Sequence, residues 1–180
     1  MAIGATIHTF EVQLADVDRG VYENFSLRVA RHPSETAEYM VTRLLAYCLE
    51  YEDGIVFAAG GVSSTDEPAV LVRDLTGQIT AWIEIGAPDA ARLHFGSKLA
   101  GRAAVYTHRD PEKLLTSWAG KTIHHADEIV VRSFEPKFVD EVARALGRRN
   151  TLSISATEGT LYLELGDTAV SSEIFEHRAG

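Results

Sequence analysis

The sequence predicts a mixed α/β domain in which antiparallel hairpins are added to a partly parallel sheet. Three observations carry that reading. Near the start, Phe10, Val12 and Leu14, and then Phe25, Leu27 and Val29, alternate with more polar residues, the period of a half-buried strand. A stripe of helical spacing follows at Val41, Leu44, Leu45, Cys48 and Leu49. Residues 78–107 then read as strand, helix and strand, long enough for a right-handed parallel crossover.

In chain order, Asp16 to Gly20 supplies the turn between the first two strands. Ile3, Ala5 and Ile7 have the opposite parity to Phe10, which predicts a bulge or a change of face. Ser34, after Pro33, is suited to cap the first helix. Gly54 ends that region, and a short strand is expected at 55–59 before Gly60-Gly61. Residues 69–73 and 78–85 read as a hairpin around Leu75-Thr76-Gly77. Pro88 is suited to the first turn of a helix reaching residue 100. Ala103 to Thr107 is the next strand, and Asp110-Pro111 starts another helix. A strand at 128–133, a helix at 136–146 closed by Gly147 and a hairpin near 151–165 complete the pattern.

The 180 residues fit one domain, 1–180, with a sizeable core. Hydrophobic content of 46% and charged content of 24% are those of a soluble globular protein. A formal net charge of −9 argues against a general nucleic-acid binder, which needs clustered Lys and Arg. A single cysteine, Cys48, forms no intrachain disulfide and suits a reducing compartment. The first residues carry no basic start or long apolar run, so a cytoplasmic protein without a signal peptide or membrane span is expected.

The chemistry concentrates between Asp66 and Lys98. Glu84 stands in Ala-Trp-Ile-Glu-Ile-Gly, where a buried strand favours another apolar residue. A carboxylate there is costly unless protonated, paired or bound to a cation. The segments ARHPSETAEYMVTRLLAY at 30–47, DEP at 66–68, WIEIGAPD at 82–89 followed by Arg92, and VYTH at 105–108 together resemble the YaeQ family. The match is specific over the first two thirds of the chain and looser beyond. The resemblance implies a core similar to the PD-(D/E)XK nuclease superfamily, in a family without an established cellular role. Such cores carry an acidic residue on the first helix, an Asp on the next hairpin, and a Glu or Asp with a nearby Lys on its second strand. Mg²⁺ binds the carboxylates, and the Lys positions or activates water.

These residues can be tested against hairpin geometry. With the turn at 75–77, Asp74 pairs with Gln78, Val72 faces Thr80, Val70 faces Trp82 or its neighbour, and Pro68 lies opposite Glu84. Asp66 then shares a face with Glu84 by period-two alternation, with Glu67 as the alternative if Pro68 disturbs the register. On the first helix Glu38 falls within the inward stripe and Glu35 at its border. Glu38, Asp66 and Glu84 are therefore the expected ligands of a hard, oxygen-rich Mg²⁺ site. The superfamily pattern departs at position 86, which is Gly86 rather than Lys. Family relatives carry an Arg-x-x-Lys arrangement counted from Arg92, but that position is Phe95 here. Lys98 is one turn later and off the stripe of Leu93, Gly96 and Ala100. It and Arg92 are the nearby cations.

The resulting expectation is a Mg²⁺-dependent nuclease-like protein acting on phosphodiesters, with Asp66, Glu84 and Lys98 as catalytic residues. The alternative is a catalytically degenerate fold serving as a protein or nucleic-acid interaction module. A basic cleft around the carboxylates favours nucleic acid, and an apolar patch elsewhere favours a protein partner. Purely structural readings stand beside these. Glu84 pairs with Arg43 or Arg92, Asp74 serves the turn, and Lys98 is solvated. His32 shapes the helix start, Cys48 and the two tryptophans pack, and His124-His125 point apart along a strand.

Overall fold

The computed structural model describes residues 4–58 and 67–180. They gather into two compact units, each built from separated stretches of chain: Met1–Val41 with Phe134–Ile174, and Thr42–Ser133 with Phe175–Gly180. The division falls inside the first helix.

The first unit is a five-stranded sheet. Strands β1 (Thr6–Asp16) and β2 (Val21–Arg31) form a long antiparallel ribbon. Strands β8 (Arg149–Thr157), β9 (Thr160–Leu165) and β10 (Thr168–Glu173) complete the order β10-β9-β8-β1-β2. β8 lies parallel to β1, and the remaining pairs are antiparallel. Phe10, Val12, Leu14, Leu27 and Val29 are buried, as the alternation predicts. The expected bulge near Ile7 is absent, because β1 and β2 pair without a shift from Thr6↔Arg31 to Asp16↔Val21. Parity is kept by burying His8 instead of Ile7. The imidazole is compensated at one nitrogen: Nδ1 lies 2.7 Å from the carbonyl of Gly147, while Nε2 is buried without a hydrogen-bond partner among the described residues. Helix α4 (Pro136–Ala145) buries Phe138, Val139 and Val142 and packs on β10.

Helix α1 (Ala37–Leu49) carries the predicted stripe, with Val41, Leu44, Leu45, Cys48 and Leu49 all buried. Its cap is Thr36, not Ser34: Thr36 Oγ1 accepts from the Tyr39 N–H at 3.1 Å. Ser34 is engaged by His32 instead, with Nδ1 to Oγ at 2.7 Å.

The second unit is a six-stranded mixed sheet. It contains β3 (Ile55–Phe57), β4 (Val70–Arg73), β5 (Ile79–Ile85), β6 (Ala103–Thr107), β7 (Val130–Ser133) and β11 (Phe175–Arg178), in the order β11-β7-β6-β5-β4-β3. β5, β6 and β7 are parallel to one another, while β3, β4 and β11 add antiparallel pairs. The predicted crossover is helix α2 (Ala90–Ala100), which packs on β5 and β6. Pro88 lies outside it: Asp89 is the cap, its carboxylate accepting from the Arg92 N–H at 2.8 Å. Helix α3 (Pro111–Trp118) begins as read, with Asp110 capping and Pro111 at the first position. One core cluster joins these elements through Trp82, Leu93, Val105, Leu114, Trp118 and Val131.

Two expectations are corrected here. The β4–β5 register shifts between Val72 and Arg73, so Val72 faces Ala81 rather than Thr80, while Val70 faces Ile83, the neighbour of Trp82, as expected. Extended one residue past its last pair, Val70↔Ile83, this register sets Glu84 level with Ala69 rather than Pro68. His124 and His125 lie before a short 3₁₀ turn (Ala126–Glu128), not on a strand, and their rings stack at 4.0 Å instead of pointing apart.

Candidate functional site

β5 places Trp82 and Glu84 on one face, two residues apart. Trp82 is completely buried and Glu84 is 5% exposed. Trp82 packs with Ala90 and Leu93 in the core beneath α2. Arg92 lies one turn into α2, oriented by the Asp89 cap.

A buried carboxylate demands partners, and Glu84 has them on both oxygens. Arg92 Nε donates to Oε1 at 2.7 Å and to Oε2 at 2.8 Å. Trp82 Nε1 donates to Oε1 at 2.8 Å. The same guanidinium donates through Nη2 to the backbone carbonyl of Glu67 at 2.7 Å, tying β5 and α2 to the segment that leads into β4. Its carbon lies 5.8 Å from the Trp82 ring centroid, within cation–π range. Burial pushes the Glu84 carboxyl above its ordinary value, against the opposing pull of Arg92 and the Trp82 hydrogen bond.

Glu38 is half-buried in the first turn of α1, in the first unit, whereas Glu84 belongs to the second. Asp66 lies outside the described residues, so its convergence with Glu84 is not described. Glu67, its alternative, gives its carboxylate to Arg73 Nη2 at 2.6 Å. Lys98 is exposed on α2. Asp74 serves the turn as the structural reading expects: the Thr76 hydroxyl donates to it at 2.6 Å and holds its carboxyl below the usual range. Among the described residues no three His, Cys, Asp or Glu side chains converge as a metal-binding group.

Position 86 has a backbone reason for its glycine. Gly86 takes φ +88°, a left-handed conformation that costs a side-chain-bearing residue about 1–2 kcal/mol. Its N–H is held by the carbonyl of Tyr106 at 2.8 Å. A lysine there meets a strained backbone where β5 ends.

The donor set can be weighed against Mg²⁺, which takes carboxylate and water oxygens in near-octahedral geometry. Among the described residues Glu84 is the buried carboxylate at the predicted position, and N–H donors already reach both its oxygens. A divalent ion approaching it meets a guanidinium at contact distance and has to displace it. The described part of the site thus fits a buried ion pair better than a metal ligand. Glu50 is neutralised similarly: it is 7% exposed and paired with Arg102 at 3.0 Å and Arg132 at 3.7 Å.

The outer side of α2 has a different character. Phe95 and Leu99, four residues apart, are 49% and 53% exposed, and the helix contains no acidic residue. Phe95 meets Trp82 edge-on at 5.5 Å. The sequence pointed to the carboxylates and to Arg92 but not to the Trp82 bond, although Trp at i−2 on the same strand face was a usable signal.

The model of the YaeQ protein family matches residues 1–174. An uncharacterized YaeQ protein of Escherichia coli K12 is 32% identical over 167 residues, spanning 91% of this chain and 90% of that protein. One from Salmonella typhi is 39% identical over 108 residues, 60% of this chain and 59% of that protein. Two crystal structures are similar throughout. The YaeQ protein of Xanthomonas axonopodis pv. citri gives a TM-score of 0.86 at 28% identity, covering 98% of this chain and 99% of that one. The YaeQ protein of Pseudomonas syringae gives 0.85 at 28% identity, covering 98% of both. No helix among the described residues is long and apolar enough to cross a membrane.

Proposed function

The chain belongs to the YaeQ family, and on that premise we propose that it is a nuclease-like core whose hydrolytic site is closed by an arginine and which works as a protein-interaction module. The observation that carries this reading is the Glu84–Arg92 pair, in which one guanidinium satisfies the carboxylate where a metal-dependent nuclease needs it open. Gly86 supports it, since the backbone at the motif-lysine position favours glycine. The succession α1-β3-β4-β5-α2-β6 matches the helix, hairpin and second-strand carboxylate that the resemblance implies. The exposed Phe95 and Leu99 of α2, beside Lys98, suit a protein partner better than a phosphate backbone.

The second reading is a Mg²⁺-dependent phosphodiester hydrolase with Asp66, Glu84 and Lys98 at the reacting centre and Glu38 as a further ligand. It is supported by the buried carboxylate on β5 and by the Arg92 tether to Glu67 beside Asp66. Hydrolysis separates the two. Fluorogenic single- and double-stranded DNA and RNA are incubated with the wild type and Glu84→Gln in Mg²⁺ or Mn²⁺. The interaction-module reading expects no turnover above the level of Glu84→Gln. Turnover that Glu84→Gln abolishes favours the hydrolase.

A further inference from the structure

The first unit contains a groove of about 790 Å³ that the Glu84 site does not use. It is lined by α4 and by β8, β9 and β10. Tyr162 and Glu164 share a face of β9, two residues apart. Across the ladders Tyr162 is flanked by Ser155 and Ser171, and Glu164 by Ser153 and Ala169. The neighbours of the ring and the carboxylate are thus small on both sides. Tyr162 is 51% exposed. Glu135, Lys137 and Glu141 line the α4 side. Lys137 reaches Glu141 only at 3.9 Å, with its own side chain 86% exposed.

The lining carries three carboxylates against one ammonium, so it repels phosphate and attracts cations. The cation is not a metal ion, because these carboxylates do not converge as a metal-binding group. An exposed aromatic face beside carboxylates suits a guanidinium or alkylammonium, which stacks on the ring while pairing with the acids. The groove is larger than one side chain needs and lies in the range of ligand sites. We propose that this groove binds an extended, Lys- or Arg-bearing peptide segment of a protein partner, with Tyr162 as the stacking platform and Glu164 and Glu141 as the charge partners. The inference goes beyond the Glu84 reading and stands whether or not that site binds metal.

The test is fluorescence anisotropy at low salt with a fluorescein-labelled octapeptide of alternating Arg and Ser. Saturable binding is expected. Tyr162→Ala and Glu164→Gln should each weaken it about fivefold or more, while Tyr162→Phe retains it. Glu23→Gln, on the opposite edge strand β2, should leave it unchanged. Circular dichroism checks that each variant is folded. Three results overturn the proposal: no saturable binding, equal weakening by Glu23→Gln, or displacement of the peptide by spermine at equal molar concentration. The last identifies a small polyamine site rather than a peptide groove.

Discussion

Arg92→Ala is expected to destabilise the protein by about 3–5 kcal/mol, the range for stripping the partner from a buried charge. For a chain of this size that lowers the melting temperature by about 10 °C or more. The physical cause is the carboxylate left behind. Glu84 is buried, and without Arg92 it keeps, among the described residues, only the Trp82 N–H. The converse change, Glu84→Gln, should cost less. Gln still accepts from Trp82, and the Arg92 side chain is 26% exposed and can turn to water. The double variant Glu84→Gln/Arg92→Leu should be more stable than Arg92→Ala, since no buried charge remains. Equal losses in all three would point to packing damage rather than a broken pair.

The pH dependence of this deficit has a definite sign. The Glu84 carboxyl is already raised by burial, and removing Arg92 raises it further. Between the ordinary glutamate value and the raised one, the folded state binds more protons than the unfolded state. Stability contributed by this group therefore rises as pH falls through that window. The gap in melting temperature between wild type and Arg92→Ala should shrink from neutral to mildly acidic pH. A gap that widens contradicts the assignment.

Gly96→Ala is the second large effect, and its sign opposes helix propensity. In a helix interior Ala normally gains about 1 kcal/mol over Gly. Here a Cβ at Gly96 would overlap Cγ, Cδ2 and Cε2 of Trp82. The indole cannot yield easily, because it is fully buried and its N–H is held by Glu84. Overpacking at the upper end of the usual range of about 1–3 kcal/mol outweighs the propensity gain of about 1 kcal/mol, for a net loss of up to about 2 kcal/mol. Denaturant unfolding gives the magnitude, and near-ultraviolet dichroism should report a displaced tryptophan. A variant as stable as wild type with an unchanged spectrum would show that α2 does not press on Trp82 as described.

Much of this fold was legible because its periodicities are clean. The α1 stripe, the β1–β2 ribbon, the α2 crossover and the Asp110-Pro111 start follow from apolar spacing and capping chemistry. The misses have local causes. One bulge beside Thr80, whose hydroxyl donates to the Val72 carbonyl at 3.3 Å, moved the β4–β5 register by a residue, which no count from the turn detects. β10 and β11 were not foreseen because Thr168–Glu173 and Phe175–Arg178 lack a buried apolar alternation. β11 exists by pairing with β7, more than 40 residues earlier. At the site, sequence found Glu84 and named Arg92 among its partners. It did not find the contribution of Trp82: the i−2 spacing puts the two side chains on one face but does not set the direction of the indole N–H. The Tyr162 groove is similarly invisible, as its walls come from four elements.

The most direct test of the central claim is calorimetric titration of Mn²⁺ into wild type and Glu84→Gln. With Arg92 as the partner of Glu84, the two proteins should give the same heats, without a saturable site that depends on this carboxylate. A site of about one ion per chain in the wild type that disappears in Glu84→Gln would place a metal at Glu84 and contradict the account.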